Sequence, residues 1–396
     1  MSAFAEETEL LTSPEAAGLL QAALTGDPEV VLPGFTAELD DLHYRPGSEV
    51  TAIYTVSFQA SDGQPATEHL LATTADVSGQ VATLRRDGIT LRVWRHPADP
   101  RLPGLAPSCD PATVLGWLGD AQPRLREAGA LHLELLAYRP LRRAVLRATA
   151  DDEHFYLKVM RPGYDDRLAT RQNLLASAGL TVPLLARPVP GVLISPSIAG
   201  HSLAHQLVDW QAGRAALPSP LALTSLLDRL PSATLALPKR SSWSENLDFH
   251  AATARQQLPS EAARIDALAA AVADALGQGR HGPIVPTHGD FYEANIFVDG
   301  STLRFIDIDS VGPGLREDDL ACCLAHLAVL PGLDPQAYPR IPEVLDAWQH
   351  AFEQQVDPQD LRARTAGVLL SLISGAEPDQ ALHRLEIAEH YAGAAR

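Results

Sequence analysis

Three polar side chains that could bind a metal ion or move a proton lie within residues 284–309. Asp290 follows His288-Gly289, Asn295 comes five positions later, and Asp307 comes twelve positions after Asn295. Carboxylate and amide oxygens suit Mg²⁺, which usually takes one or two carboxylates together with waters and substrate phosphates. With Asn295 and Asp307 on the metal, Asp290 is left to accept a proton from an attacking hydroxyl.

A β-hairpin is the element that must position these side chains. Two apolar runs, 296–298 and 303–308, flank the turn signal Asp299-Gly300, and this pattern predicts two strands joined by a tight turn. Asn295 and Asp307 then fall near the strand ends that meet at the open end of the hairpin, with Asp290 one loop away.

The string His-Gly-Asp-x-x-x-x-Asn, followed by Ile-Asp, resembles the catalytic and metal-binding loops of the aminoglycoside phosphotransferase and choline kinase group, relatives of protein kinases. The resemblance implies that Asp290 is the catalytic base, that Asn295 and Asp307 hold Mg²⁺, and that ATP is the phosphoryl donor. It also implies that Asp319, at an acidic position of the family, helps to brace the catalytic loop. For His288 we expect a bracing role through hydrogen bonds, with a direct chemical role as the alternative. The glycine that follows the metal-binding aspartate in protein kinases is missing here.

Residues 131–160 are predicted to form the nucleotide-binding lobe. Apolar and polar residues alternate in three segments, 131–138, 144–148 and 154–160, and this pattern predicts an antiparallel meander. Lys158 lies between apolar residues in the third segment. It resembles the lysine that kinases carry on their third strand. A buried ammonium needs an anionic partner, which ATP phosphates would supply. The alternative is an edge-strand lysine that extends to water.

No glycine-rich phosphate motif occurs in the predicted nucleotide-binding lobe, since residues 131–160 contain no glycine. The corresponding turn is Arg139–Arg143, where Arg142 or Arg143 could contact phosphate oxygens, although a solvated basic turn is the alternative. In the helix predicted over residues 165–178, Gln172 takes the position of the glutamate that pairs with the lysine in kinases. That departure leaves open whether Asp165 or Asp166 takes this role.

The N-terminal region is predicted to form an extra β-rich domain, preceded by a stretch of helical spacing over residues 9–24 with a helix start signal at Ser13-Pro14-Glu15. The string Leu42-His43-Tyr44-Arg45-Pro46 is echoed by Leu136-Ala137-Tyr138-Arg139-Pro140, and a rough alignment places Thr73 where the second copy has Lys158. Either the first copy is a degenerate duplicate, or two unrelated meanders share a tripeptide. The prolines of residues 97–107 predict a linker. This order of parts resembles bacterial maltokinases and glucosamine kinases, which carry similar N-terminal caps.

The predicted fold is therefore α+β: a bilobal protein-kinase-like fold with an antiparallel β N-lobe, a mostly helical C-lobe and a β-rich cap. We expect a cap over residues 1–108, a nucleotide-binding lobe and hinge over 109–199, and a helical lobe with the catalytic and metal-binding loops over 200–396.

Several carboxylates and one tyrosine near the catalytic loop could bind the acceptor. A carboxylate can accept hydrogen bonds from sugar hydroxyls or pair with an ammonium group. The candidates are Tyr292, Glu293, Glu317 and Asp319. A polar loop over residues 231–250 adds Trp243, Glu245, Asp248 and His250, although Trp243 could simply anchor the loop.

Composition excludes several classes of function. The formal net charge is −18 and 20% of residues are charged, which argues against nucleic acid and anionic membranes as partners. We find no signal peptide and no apolar run long enough to cross a bilayer. The three cysteines have neither zinc-site spacing nor a disulfide pattern, so we expect a cytoplasmic protein.

The resulting hypothesis is an ATP-dependent kinase that transfers the γ-phosphoryl group to a hydroxyl of a sugar or amino sugar. One alternative is an aminoglycoside phosphotransferase that confers antibiotic resistance. Another is a catalytically weak kinase fold used as a binding module.

Overall fold

The computed structural model describes residues 3–44, 49–60, 62–127 and 129–395. The chain forms two compact units, one of residues 1–169 with 184–197 and one of residues 170–183 with 198–396. Antiparallel sheets dominate the first unit and helices the second. The predicted α+β class is confirmed.

The first unit contains two antiparallel sheets, a five-stranded one of order β1-β2-β3-β5-β4 and a four-stranded one of order β6-β7-β8-β9. Its elements in chain order are α1 (Ala3–Thr12), α2 (Glu15–Thr25), β1 (Thr36–Tyr44), β2 (Val50–Gln59), β3 (Pro65–Thr73), β4 (Ala82–Arg86), β5 (Ile89–Arg95), α3 (Leu105–Ser108), α4 (Pro111–Ala121), β6 (Leu131–Arg139), β7 (Arg143–Ala150), β8 (Glu153–Met160), α5 (Tyr164–Ser177) and β9 (Val192–Pro196). Helix α5 runs on into the second unit.

The N-terminal helices pack their apolar faces on the five-stranded sheet. Leu11 and Leu20 are buried against Val50 and Val56 of β2, whose alternating side chains face this core. The helical spacing predicted over residues 9–24 belongs to two helices, because α1 ends at Thr12 and α2 begins at Glu15, in the predicted start signal Ser13-Pro14-Glu15. Proline cannot continue a helix in its interior, since it lacks the N–H that the helix needs.

The predicted linker over residues 97–107 is also wrong. Leu102 and Leu105 are completely buried and pack with Phe155 and Val192 of the four-stranded sheet. The prolines punctuate tight turns here, but the apolar residues between them belong to the core. A stretch rich in proline therefore does not indicate a flexible connection when its leucines are buried.

The two sheets of the first unit repeat one arrangement. In each, three consecutive strands form a meander, and a fourth strand pairs with the third. The first strand of each meander also contains a register shift. Thr73, which the echo aligns with Lys158, is buried and hydrogen-bonds Thr51 and the Val50 carbonyl. Arg45 and Pro46 of the echo lie outside the described residues, as does Ser61 of the predicted turn, and the duplication stays a prediction.

The second unit packs helices around two small sheets, one of order β10-β12-β13 and one that pairs β11 with β14. Its elements are β10 (His201–Ser202), α6 (Leu203–Gln211), α7 (Pro220–Asp228), α8 (Leu247–Gln257), α9 (Ala262–Gln278), β11 (Ile284–Thr287), β12 (Ile296–Asp299), β13 (Thr302–Phe305), β14 (Gly312–Leu315), α10 (Arg316–Leu333), α11 (Ile341–Glu353), α12 (Pro358–Leu372) and α13 (Pro378–Ala394). The break predicted near Pro259 separates α8 from α9. In the described part of the chain, no helix has the length and apolarity needed to cross a membrane.

Candidate active site

The hairpin β12–β13 joins the three predicted metal and base residues. Ile296 pairs with Phe305 at its open end, and the Asn295 carbonyl accepts a hydrogen bond of 3.0 Å from the Ile306 N–H, next to Asp307. The Asn295 side-chain NH₂ donates to the Asp290 carbonyl at 3.0 Å. Asn295 therefore contacts the backbone of Asp290 and of the residue before Asp307, and among the described residues its amide oxygen accepts no hydrogen bond.

Strand β13 ends earlier than the sequence predicts. It stops at Phe305, whereas the apolar run continued to Ile308, and Asp307 adopts a left-handed conformation with φ of 51°. Thr181 donates to the Phe305 carbonyl at 2.8 Å, and the Phe305 N–H donates to the Leu180 carbonyl at 2.7 Å. The segment after α5 thus fixes the strand that leads into Asp307.

A buried carboxylate braces the start of the catalytic loop. Asp319 of α10 accepts hydrogen bonds from the N–H groups of His288 and Gly289 at 2.8 and 2.7 Å. Burial raises the pKa of Asp319 to about 7, against the two N–H groups, which lower it. His288 is completely buried, and its Nε2 lies 3.1 Å from the Ile306 carbonyl oxygen. Both residues contact the loop that carries Asp290.

Gly289 allows the loop to approach the segment after Asp307. Its φ is +77°, and a Cβ built on it would lie 2.9 Å from the Cβ and the carbonyl oxygen of Ser310. An L-residue is disfavoured both by this conformation and by this contact. Asp290 therefore starts from a backbone position that only glycine accommodates without a shift.

Tyr292 stacks on His326 of α10, with ring centroids 4.1 Å apart and planes inclined by 22°. Burial raises the pKa of Tyr292, and the nearby charges of Asp290, Glu293 and Asp307 raise it further. The charges of the proposed base and of a proposed metal ligand therefore both act on Tyr292. Burial also lowers the pKa of His326 to about 4. The sequence carried no signal for His326, which lies in an apolar helix 34 positions after Tyr292.

The acceptor candidates do not form one cluster. Glu293 is buried beside Tyr292, burial raises its pKa to about 7, and its Oε2 has no hydrogen-bond partner among the described residues. Asp319 is occupied with the loop backbone. Glu317 accepts a hydrogen bond of 2.8 Å from the Gly282 N–H, beyond the Ile284–Leu315 end of the β11–β14 pair rather than its Thr287 end.

The polar loop before α8 reaches the segment after Asp307 through a residue that sequence reasoning missed. Arg240 donates to the Ser310 hydroxyl, and its guanidinium lies 5.5 Å from the centre of the Trp243 ring. The Trp243 and His250 rings are 5.8 Å apart, and Glu245 pairs with Lys239. Trp243 and Glu245 therefore have contacts that anchor the loop.

Lys158, in the first unit, lies on an inner strand. Strand β8 is bonded to β7 and β9, and Lys158 is opposite Val145 on one side and Leu193 on the other. The edge-strand alternative is therefore wrong. Arg143 lies two residues from Val145 and so shares a sheet face with Lys158. Arg142 is exposed and lies 3.8 Å from Glu49.

The residues considered as lysine partners have contacts of their own. Gln172, in the second unit, is buried and donates to the Val182 carbonyl at 2.6 Å. Arg187 forms ion pairs with Asp165 and Asp166, at 2.9 and 2.5 Å.

A metal ion at this site could not be held by charged side chains alone and would need other oxygen ligands. Across the described ranges, no three His, Cys, Asp or Glu side chains are grouped so that they could hold a metal ion. The Asn295 amide oxygen and the Asp307 carboxylate fit Mg²⁺, because that ion commonly relies on few protein oxygens and completes its shell with water and substrate phosphates.

Residues 141–365 match the phosphotransferase enzyme family (APH). The match covers more than half of the chain, from the turn after β6 into α12, and the chain therefore belongs to this family. It is a small-molecule phosphotransferase that acts on hydroxyl acceptors.

Similar solved structures include choline kinase from Cryptosporidium parvum Iowa II, with 12% identity, a TM-score of 0.45, and coverage of 71% of this chain and 94% of that one. A thermostable mutant of the aminoglycoside phosphotransferase APH(4)-Ia has 15% identity, a TM-score of 0.45, and coverage of 68% and 97%. A glucosamine kinase has 15% identity, a TM-score of 0.39, and coverage of 98% of both chains. No curated protein matches the chain.

Proposed function

We propose that the protein transfers the γ-phosphoryl group of ATP to a hydroxyl of a sugar or amino sugar, with Mg²⁺. Asp290 is the base that accepts the hydroxyl proton, and Asn295 and Asp307 hold the metal. The observation that carries the proposal is the pair of hydrogen bonds by which Asn295 joins the Asp290 and Ile306 backbones, at 3.0 Å each.

The chemistry follows from positioning and charge. Phosphoryl transfer requires the nucleophile, the phosphorus and the leaving oxygen to be nearly in line, and the protein contributes mainly orientation and electrostatic stabilisation. Asp319 accepts two hydrogen bonds from the loop backbone, and Gly289 packs closely on Ser310. These contacts orient Asp290 before the acceptor arrives. Bound Mg²⁺ would neutralise phosphate charge.

The nucleotide contacts belong to the first unit. Lys158 lies on an inner strand and shares a sheet face with Arg143, so both cations can contact one polyphosphate. We propose that Lys158 binds the α- and β-phosphates, and that Arg142 or Arg143 binds phosphate oxygens through its guanidinium fork.

The acceptor contacts belong to the catalytic loop. Tyr292 and Glu293 come two and three positions after Asp290 in this loop, and the charges of Asp290 and Asp307 both act on Tyr292. The unpartnered Glu293 oxygen is costly to bury, and a hydroxyl or ammonium donor of the acceptor would satisfy it. These features support a polyhydroxylated or amine-bearing acceptor.

The test is ADP release by the purified chain with Mg²⁺ and ATP, against glucosamine, maltose, choline, aminoglycosides and nucleosides. We expect a sugar or amino sugar to stimulate release, and Asp290→Ala to abolish most of that stimulation. Preference for polycationic aminoglycosides would instead favour a resistance enzyme. Nucleotide binding without stimulated release by any acceptor would favour the binding module.

A further inference from the structure

A buried carboxylate in the N-terminal part of the first unit holds the turn between β6 and β7. Asp99 is 3% exposed. Its Oδ1 accepts hydrogen bonds from the N–H groups of Arg101 and Leu102 at 2.8 and 3.2 Å. Its Oδ2 accepts from the Tyr138 hydroxyl at 2.8 Å and from the Leu141 N–H at 2.7 Å. One side chain thus joins the segment after β5 to the turn after β6.

The same turn is also anchored by its own leucine. Leu141 adopts a left-handed conformation with φ of 62°, and its side chain is buried with Leu71 and Trp94 of the five-stranded sheet. The Leu141 carbonyl accepts a hydrogen bond of 2.6 Å from Arg161 Nε. A non-glycine residue held at positive φ requires a surrounding structure that fixes it, and here the five-stranded sheet supplies part of it.

The turn over Arg139–Arg143 carries exposed, positively charged side chains. Arg139, Arg142 and Arg143 are all exposed, and Arg143 shares a sheet face with Lys158. A glycine-rich loop can adapt its backbone to a phosphate chain, but this turn has no glycine. The contacts that hold the turn therefore determine where its arginine side chains can contact phosphate oxygens.

We propose that Asp99 is a positioning residue for the nucleotide, holding the Arg139–Arg143 turn so that its arginines can receive the phosphates. The five-stranded sheet is then part of the nucleotide-binding apparatus. This inference rests on the proposed function, in which Arg142 or Arg143 binds phosphate oxygens. Fixing a binding loop in its bound conformation raises affinity because less conformational entropy is lost on binding.

The test compares the binding of Mg²⁺-ATP and of adenosine to the full chain by isothermal titration calorimetry. In Asp99→Asn, an NH₂ group that cannot accept hydrogen bonds replaces one of two carboxylate oxygens, each of which accepts two, so the turn is held less firmly. We expect the Kd for ATP to rise about tenfold and the Kd for adenosine, which has no phosphates, to stay at the parent value. Asp87→Asn is the matched control, because Asp87 lies in the exposed β4–β5 turn of the same sheet, and it should bind both ligands like the parent.

Tyr138→Phe provides a second test that does not depend on the folding of Asp99→Asn. It removes one hydrogen bond to Asp99 and keeps the ring in the core, so we expect a smaller loss that is again selective for ATP, about threefold. Parent affinity for ATP in the folded variants would overturn the inference, as would an equal loss for ATP and adenosine. A parent chain that binds no ATP would overturn the proposed function itself, and the inference with it.

Discussion

Several side chains around the catalytic loop act on the backbone or on another side chain. Asp319 holds two N–H groups of the loop, Asn295 holds the Asp290 carbonyl, and His326 stacks on Tyr292. These contacts determine where Asp290 and Tyr292 lie, although neither Asp319 nor His326 needs to touch the reactants.

The His326 ring predicts a dependence of stability on pH. Burial lowers its pKa from 6.5 to about 4. Below pH 6.5 the unfolded chain binds a proton that the folded chain does not. The contribution of His326 is therefore fully present above pH 6.5 and is lost as the pH falls towards 4.

His326→Phe keeps a ring against Tyr292 but cannot titrate. The free energy of unfolding, measured with urea, should fall between about pH 7 and about pH 4.5 in both proteins. We expect the fall to be about 2 kcal/mol smaller in His326→Phe than in the parent. His350→Phe, at an exposed position of α11, should follow the parent. Equal losses in the parent and His326→Phe would show that His326 is not buried in its neutral form.

Among the elements, the hairpin was the most predictable. Its turn signal and the two apolar runs correctly predicted β12 and β13, because a tight turn and the strands beside it depend on residues that are close together in the sequence. The end of β13 was not predictable, since Ile306 and Ile308 continue the apolar run although the strand stops at Phe305. Hydrogen bonds between Phe305 and two residues more than a hundred positions earlier, the Leu180 carbonyl as acceptor and the Thr181 hydroxyl as donor, fix that part of the strand.

The contact between the catalytic loop and the segment after Asp307 predicts different outcomes for two glycines. Gly289→Ala would place a Cβ 2.9 Å from Ser310, whereas a Cβ at Gly300 meets no atom within 4 Å. Both glycines have positive φ, so both variants pay a backbone cost of about 1 kcal/mol. Only Gly289→Ala should also displace Asp290.

We expect Gly289→Ala to lower acceptor-stimulated ADP release at least about tenfold, and Gly300→Ala to stay close to the parent in the folded fraction. Steady-state rates, with folded fractions checked by urea unfolding, measure both. Similar losses in the two variants would mean that the close packing at Ser310 does not position the base.

At the scale of the whole molecule, the sequence predicted the fold class, and the family match confirmed the resemblance. Asp290, Asn295 and Asp307 could be proposed from the sequence because their spacing is itself the motif. Asp99, Arg240 and His326 could not, since each contacts a partner distant in sequence. The proline-rich stretch misled us because the burial of Leu102 and Leu105 depends on strands that follow much later.

The proposed roles are divided between the two units. The first carries Lys158 and the arginine turn, and the second carries the base and the metal ligands. A change at the base should therefore alter the chemical step without altering nucleotide binding by the first unit.

The most direct measurement is the kcat of Asp290→Asn, with the acceptor that the panel identifies, beside its Kd for Mg²⁺-ATP. The change removes the proton acceptor and keeps the side-chain shape, so we predict a fall in kcat of at least about a hundredfold and a Kd within about twofold of the parent value. An Asp290→Asn enzyme that retains the parent kcat would contradict the assignment of the base and with it the proposed site.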